Sequence, residues 1–139
     1  MSSENATWQA VRPVLKRTGF LTERIENSLN KGTPDTWWLR DGIAGVLELK
    51  HASSWPKREG TPLRLPHLTD DQCKWHTRWG QHRGLGGLLL QVGRDYLYFR
   101  SKHVFAIHDK TKQDLFRLAD WAGSKRQLKQ MLEEMVRDG

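Results

Sequence analysis

The sequence predicts an α/β fold in which helices flank a small mixed β-sheet and a helical tail follows at the C-terminus. Three observations indicate this class: a helical apolar spacing near the N-terminus, a strand–turn–strand pattern in residues 36–51, and a second helical pattern followed by two short apolar runs. The chain has 139 residues, which is the length of one domain.

The N-terminal helix is predicted over residues 3–17, because Trp8, Val11 and Leu15 recur at a spacing that places them on one helical face. A short strand is expected to follow over residues 21–27, where the apolar side chains share a parity. Together these patterns predict a helix that leads into the first strand of the sheet.

The clearest predicted element is a β-hairpin. Residues 36–40 and 43–51 are strand-like and are separated by Asp41-Gly42, the favoured pair for a tight two-residue turn. Residues 52–68 follow with three prolines and no apolar period, so they are expected to form a basic loop.

The second half of the sequence alternates helix and strand again. Thr69 and Gln72 have the spacing of a capping box, which predicts a helix that begins there and runs to about His82. The elements expected after it are a turn over residues 84–87, a strand over 88–92, a tight turn at Gly93-Arg94, a strand over 96–99 and tail helices over 112–121 and 125–137.

The chain is strongly basic. Lys and Arg number 23 against 16 Asp and Glu, which gives a net charge of +7 and an isoelectric point near 9.9. This balance favours a polyanionic partner such as nucleic acid, because basic side chains displace the counterions of phosphate. A solvated basic surface with no such partner is the alternative.

Neither a membrane segment nor an export signal is expected. The mean hydropathy is −0.74, and the longest apolar run, residues 88–90, is far too short to cross a bilayer. Residues 1–5 lack the basic and apolar stretches of a signal peptide. A lone cysteine, Cys73, excludes an internal disulfide and a multi-cysteine zinc site, and a catalytic thiol is not expected. The expected compartment is the cytoplasm.

Three polar residues of the hairpin point to its chemistry. Glu48 and Lys50 alternate along the second strand and so share a face. The turn brings Asp35, at the start of the first strand, opposite Glu48 or one place from it. Two carboxylates at one point suit Mg²⁺ or Mn²⁺, which activates water and stabilises charge on a phosphoryl oxygen. Lys50 would orient that water or offset the charge, so the cluster predicts phosphodiester hydrolysis.

The same residues resemble a known signature. Residues 32–35 (Gly-Thr-Pro-Asp) followed by residues 48–50 (Glu-Leu-Lys) resemble the motif of the PD-(D/E)XK nuclease superfamily. With residues 24–28 before it and residues 89–94 after it, the longer pattern is similar to virus-type replication-repair nucleases (VRR-NUC) and Holliday-junction resolvases, particularly short proteins encoded by tailed phages. The resemblance covers residues 4–100.

The resemblance implies a restriction-endonuclease-like core over residues 1–100. Residues 101–139 would then form a helical C-terminal extension that packs on the core or supplies an interface. Resolvases cut two strands symmetrically, so such an activity would imply a homodimer. If phage-encoded, the protein would act in the cytoplasm of a bacterial host.

The resemblance also implies residue roles. Asp35 and Glu48 would bind the metal, the backbone carbonyl of Leu49 would complete its coordination, and Lys50 would assist catalysis. These roles belong to the matching positions of the motif.

Two further site residues are implied. An extra acidic ligand or proton carrier is expected from Glu4 or Glu26. Glu4 fits the position on the first helix and is slightly favoured by its helical spacing, whereas Glu26 lies in a stretch that itself resembles the family. Gln72 is expected at the catalytic site, and its other role is that of capping-box partner to Thr69.

Basic and polar residues on both sides of the hairpin are candidate nucleic-acid contacts. Arginine in particular forms bidentate contacts with phosphate. A solvated face is the alternative. The set is Arg24, Asn27, Ser28 and Lys31 before the hairpin, and Lys57, Arg58, Arg64, Lys74 and Arg78 after it.

These observations predict a Mg²⁺-dependent DNA endonuclease that also accepts Mn²⁺ and is selective for branched DNA such as a Holliday junction. Its expected roles are phage recombination, replication or DNA processing. One alternative is a catalytically silent nucleic-acid-binding or host-targeting protein on the same fold. Another is a sequence-specific restriction-type or nicking enzyme. The choice between DNA and RNA stays open.

Overall fold

A computed structural model describes residues 3–25 and 32–137 and confirms the α/β class. Helices flank a six-stranded mixed sheet that is not closed. The elements in chain order are α1 (Ser3–Arg17), β1 (Leu21–Arg24), β2 (Thr36–Arg40), β3 (Ile43–Ala52), α2 (Asp70–Gln81), β4 (Leu85–Val92), β5 (Asp95–Arg100), α3 (Ser101–Val104), a 3₁₀ turn (Phe105–Ile107), α4 (Lys112–Leu118), β6 (Trp121–Gly123), a second 3₁₀ turn (Lys125–Gln127) and α5 (Leu128–Met135).

The strands lie in the sheet in the order in which they occur in the chain. Neighbouring strands are antiparallel except for β3 and β4, which are parallel. A parallel pair requires a long connection, and here the connection consists of the loop after β3 and helix α2. None of the helices in the described residues has both the length and the apolar character that a membrane crossing requires.

The predicted hairpin is confirmed. Asp41 and Gly42 connect β2 and β3 with φ angles of 52° and 81°, the positive values that a type I′ turn needs at both central residues. The ladder runs from Arg40 opposite Ile43 at the turn to Thr36 opposite Leu47 at the far end. Because β3 is longer than β2, its last residues pair with β4 alone among the described strands.

The sheet separates two apolar layers. On one face, α1 and α5 pack against residues such as Leu47 and Leu89. On the other face, α2, α3 and α4 cover Leu88 and Leu90. Successive strand residues point to opposite faces, so β4 contributes to both layers and is buried on both sides.

The expected turn over residues 84–87 is wrong, since β4 already begins at Leu85. Its two glycines belong to the strand. A β-carbon on Gly86 would overlap the carbonyl oxygen of Val46 in β3, and one on Gly87 would overlap that of Phe99 in β5. These glycines therefore permit close strand approach and do not reverse the chain.

The helical tail also needs correction. The helix expected over residues 112–121 ends at Leu118, and Trp121 belongs to the edge strand β6, paired with Tyr98. The helix expected over residues 125–137 begins as a 3₁₀ turn and becomes α-helical at Leu128. The helical spacing of the sequence alone did not predict that residues 121–123 form a strand paired with β5.

Smaller differences concern boundaries. The first strand ends at Arg24, and residues 26 and 27 of the expected range lie outside the described residues. Helix α2 ends at Gln81, with His82 as its C-cap. Helix α3 was not expected.

Candidate active site

A cavity of about 240 Å³ opens where β2 begins and β3 continues past it. Its wall combines the two carboxylates expected at the metal site with a third from α1. The lining residues are Glu4, Asn5, Arg24, Asp35, Thr36, Leu47, Glu48 and Leu49.

The strand register explains why Asp35 and Glu48 line the same cavity. Thr36 lies opposite Leu47, so one further step along each strand brings Asp35 level with Glu48. Asp35 is exposed, whereas Glu48 is only 3% exposed. The two hairpin strands therefore supply one solvated and one buried carboxylate to the cavity.

The segment before Asp35 is held by aromatic packing. Pro34 is buried, and its carbonyl accepts a hydrogen bond from Trp37 Nε1 at 3.2 Å. The Trp37 ring lies edge-on to Trp75 and Trp79 of α2, which stack with ring centroids 5.0 Å apart. Helix α2 thereby fixes the position from which the Asp35 carboxylate projects.

Glycine is required at position 32 by the same contact with α2. Its φ is +92°, and a β-carbon there would overlap the backbone carbonyl of Asp71 in the first turn of the helix. Any other residue would push this segment away from α2 and shift Asp35 with it.

The buried carboxylate of Glu48 has an oxygen without a hydrogen-bond partner among the described residues. This oxygen is Oε1, and His76 Nε2 lies 3.6 Å from it, also without a hydrogen-bond partner there. The other ring nitrogen of His76 is 2.8 Å from Ser101 Oγ. An unsatisfied buried carboxylate oxygen is costly, and a cation bound by the Glu48 carboxylate would offset that cost.

Lys50 shares the strand face of Glu48 but does not line the cavity. Its ammonium donates to the carbonyl of His67 at 2.8 Å and to Glu4 Oε1 at 3.4 Å. Lys50 is buried, whereas the Glu4 side chain is 40% exposed. Glu4 therefore connects Lys50 to the cavity.

Of the two candidates for the extra acidic residue, the structure describes one. Glu4 lines the cavity, and Glu26 lies outside the described residues. Gln72 is in the capping box of α2: its Oε1 accepts from the backbone of Thr69 at 3.1 Å, and its own backbone donates to Thr69 Oγ1 at 3.1 Å. Its catalytic role stays a prediction.

The candidate nucleic-acid contacts occupy several surfaces. Arg24 lines the cavity, with its guanidinium 4.9 Å from the centre of a Trp8 ring. The exposed pair Lys74 and Arg78 lies one turn apart on α2. Lys57 and Arg58 line a different groove, and Arg64 lines a third cavity, while Asn27, Ser28 and Lys31 lie outside the described residues.

A thiol mechanism has no support in this geometry. Cys73 is buried and lies 3.1 Å from His108 Nε2. Burial, with the nearby charge of Asp70, raises the pKa of the Cys73 thiol to about 11. The neutral thiol is a poor nucleophile.

The sequence did not identify His76 and Ser101 as support for Glu48. Both are buried polar residues, from α2 and α3. Their separation of 25 positions in the chain hides their contact, and α3 was not expected. The one available signal was that His76 occurs on an otherwise apolar helical face, which indicates only burial.

The residues present fit a site for a hard cation with few protein ligands. Within residues 3–25 and 32–137, no group of three or more His, Cys, Asp or Glu side chains is arranged to hold a metal ion. Mg²⁺ is commonly bound through one or two carboxylates and retains several waters. Asp35 and Glu48 supply such a pair, and Leu49 lines the same cavity.

Comparison with known proteins adds no assignment to this geometry. No family model matches the chain, and no curated protein matches its sequence. Function is therefore inferred from the residues of the cavity and from the charge of the molecule.

Proposed function

We propose that this protein is a metal-dependent endonuclease that hydrolyses DNA phosphodiester bonds with Mg²⁺, and with Mn²⁺ as a substitute. The observation that supports it most strongly is the buried Oε1 of Glu48, which has no hydrogen-bond partner among the described residues. This carboxylate lines the same cavity as Asp35. A structural role alone would leave an anionic oxygen unsatisfied.

Asp35 and Glu48 would hold the cation, and the Leu49 carbonyl would complete the protein ligands. When bound, the metal activates a water molecule and stabilises charge on a phosphoryl oxygen. Arg24 at the cavity wall adds a bidentate donor for the phosphate of the substrate.

Lys50 and Glu4 act as a pair in this proposal. The bond to the His67 carbonyl fixes the Lys50 ammonium, and the ammonium fixes the Glu4 carboxylate at the cavity. Glu4 would accept a proton from the attacking water as the water oxygen bonds to phosphorus and one P–O ester bond breaks, with the leaving oxygen taking a proton from solvent. The Lys50 ammonium would hold the Glu4 carboxylate in position for that transfer. Lys50 therefore assists through Glu4 and does not contact the water directly.

Branched DNA is the proposed substrate class. The support is the net charge of +7 together with the resemblance of residues 32–35 and 48–50 to the PD-(D/E)XK motif and to junction-resolving phage proteins. Symmetric cleavage of a junction would require a homodimer. The proposed setting is phage recombination, replication or DNA processing in the bacterial cytoplasm.

The test is a cleavage assay with Mg²⁺ or Mn²⁺ on a four-way junction, a flap, single-stranded DNA and linear duplex. Asp35→Asn and Glu48→Gln are each expected to lower the rate by at least about 100-fold, because each removes a charged metal ligand. Asp41→Asn is the matched control: it removes a carboxylate outside the cavity and keeps a residue that the type I′ turn favours.

The alternatives give different results. Salt-sensitive DNA binding without cleavage would contradict the proposal and support a binding or host-targeting protein. Cleavage of linear duplex at a fixed sequence would instead support a restriction-type enzyme. Equal loss of activity in Asp41→Asn would show that the effect is not specific to the cavity.

A further inference from the structure

A second concave surface lies between the loop after β3 and helix α4. It is an open groove of about 1100 Å³. We call it the aromatic groove and define it by the six lining residues that bear on its chemistry: Trp55, Lys57, Arg58, Lys112, Phe116 and Arg117. The proposed cleavage chemistry uses none of the three aromatic-groove residues from α4.

Two aromatic rings form the floor of this groove. The Trp55 and Phe116 ring centroids are 5.8 Å apart. Trp55 is fixed in place because its Nε1 donates to Asp95 Oδ2 at 2.8 Å, and the Lys112 ammonium lies 5.5 Å from its ring centre. Phe116 therefore packs against a tryptophan ring that is held in place by its own hydrogen bond.

Phe116 is not needed for the core. Its neighbour Leu115 is fully buried and anchors α4 to the sheet, whereas Phe116 is 39% exposed at the groove. An exposed ring on a rigid support is the arrangement on which nucleic-acid bases stack.

The walls of the groove are basic. Lys57 and Arg58 are exposed on the loop side, and Lys112 and Arg117 are exposed on the helix side. Two carboxylates also line it, so four cations against two anions leave a net charge of +2. Arg117 forms an ion pair with Asp114 that is 3.7 Å long and exposed to solvent, and such a pair contributes little. The walls thus complement a phosphate backbone.

The groove lies on the sheet face of Glu48. Glu48 is level with Leu88 in β4, and Leu88 belongs to the apolar layer against which Trp55 packs. Trp55 is five positions after Lys50 in the chain, so their Cα atoms are at most about 18 Å apart. The groove therefore lies near Lys50, the residue that holds Glu4 at the cavity.

We propose that the aromatic groove binds a single-stranded segment of DNA, with a base stacked on Phe116 and adjacent phosphates on the four cations. A duplex hides its base faces, so only unpaired bases can use this platform. The inference deepens the proposed function, since it identifies unpaired DNA as part of the substrate, but the groove can be tested without metal.

The test is fluorescence anisotropy with a labelled 12-nucleotide oligo(dT) and with a duplex of equal length, in EDTA. Tighter binding of the single strand is expected. Phe116→Ala should weaken it by about 5- to 150-fold, the range for loss of one stacked base. Phe116→Tyr keeps an aromatic face and should retain affinity for the single strand. Phe116→Leu keeps the apolar character but loses the aromatic face, so it should bind the single strand more weakly.

Phe105→Ala is the matched control, because Phe105 is 61% exposed and lies outside the groove. Circular dichroism would establish that each variant is folded. A plot of log affinity for the single strand against log salt concentration has a negative slope. Arg58→Ala and Lys112→Ala should each reduce the magnitude of that slope by about 0.7. Equal binding of both DNAs, or unchanged binding by Phe116→Ala and Phe116→Leu, would overturn the proposal.

The two proposals fail separately. If the single strand binds through Phe116 in EDTA but no DNA is cleaved with Mg²⁺ or Mn²⁺, the groove stands and the nuclease proposal fails. If cleavage depends on Asp35 and Glu48 while all Phe116 variants bind as the unmodified protein does, the groove proposal fails.

Discussion

At the scale of single residues, the most informative contact is between His76 and Glu48. Ser101 Oγ donates to the Gly86 carbonyl at 3.3 Å and lies 2.8 Å from His76 Nδ1. His76 Nε2 lies 3.6 Å from Glu48 Oε1, so the tautomer with its proton on Nε2 would direct an N–H toward this oxygen. His76 is therefore a positioning residue that orients the proposed metal ligand.

His76→Leu is expected to weaken Mn²⁺ binding by about 10- to 100-fold, the usual effect of removing a residue that orients a metal ligand. His76→Gln keeps a donor near the position of Nε2 and should lose less. The measurement is Mn²⁺ titration followed by electron paramagnetic resonance at fixed pH, without DNA. His82→Asn, an exposed histidine at the end of the same helix, is the control. Unchanged affinity in His76→Leu would refute the positioning role.

Residue-scale prediction succeeded where the relevant contact is local. Asp35 and Glu48 line one cavity because the Asp41-Gly42 turn sets the register between them. Lys50 shows the limit of this reasoning. Its partner is the carbonyl of His67 in an irregular loop, and no apolar period encodes the path of such a loop.

At the scale of elements, the seam between β3 and β4 depends on glycine. Gly86 has a φ of +94°, and its missing side chain makes room for the backbone of Val46. The sequence shows that this region is rich in glycine, but it does not show whether the glycines form a turn or allow strands to approach closely. Glycine is common both in turns and where strands approach closely, and only the tertiary contact distinguishes the two.

Gly86→Ala is expected to lower the free energy of unfolding by at least about 2 kcal/mol, because it adds backbone strain and a steric overlap. Gly60→Ala separates these causes. Gly60 has a similar φ of +84°, but a β-carbon there would meet nothing within 4 Å, so a cost of about 1–2 kcal/mol from backbone strain alone is expected. Urea denaturation measures both values. An equal loss of unfolding free energy in the two variants would show that the structure relieves the overlap between residue 86 and β3.

At the scale of the whole molecule, the C-terminal segment is part of the packing. Leu128, Met131, Leu132 and Met135 of α5 are buried in the same layer as α1. Their burial contributes about 6–12 kcal/mol to the stability of the fold. This is comparable to the net stability of a typical domain, which is about 5–15 kcal/mol. The α/β class could be predicted from the sequence, but the edge strand β6 could not, because it has only three residues and its partner is β5.

A chain truncated after Arg100 is expected to lack a cooperative thermal transition, because the α1 layer would lose its cover. Calorimetry of residues 1–100 tests this. The milder Leu132→Ala should cost about 2–5 kcal/mol, and Lys129→Ala, at an exposed position of the same helix, should change stability by less than about 0.5 kcal/mol. Cooperative unfolding of the truncated chain would instead support a nuclease core that ends at residue 100.

The single parallel seam has a consequence for the order of assembly. The hairpins β2–β3 and β4–β5 are each joined by a tight turn, whereas residues paired across the seam, such as Glu48 and Leu88, are 40 positions apart. Closing so long a loop costs more chain entropy than closing a turn. Asp35 and Glu48 come from one hairpin and can meet early, but His76 reaches Glu48 only when α2 docks. Asp35 and Glu48 therefore come together at a different stage of folding from the one at which the contact between Glu48 and His76 forms.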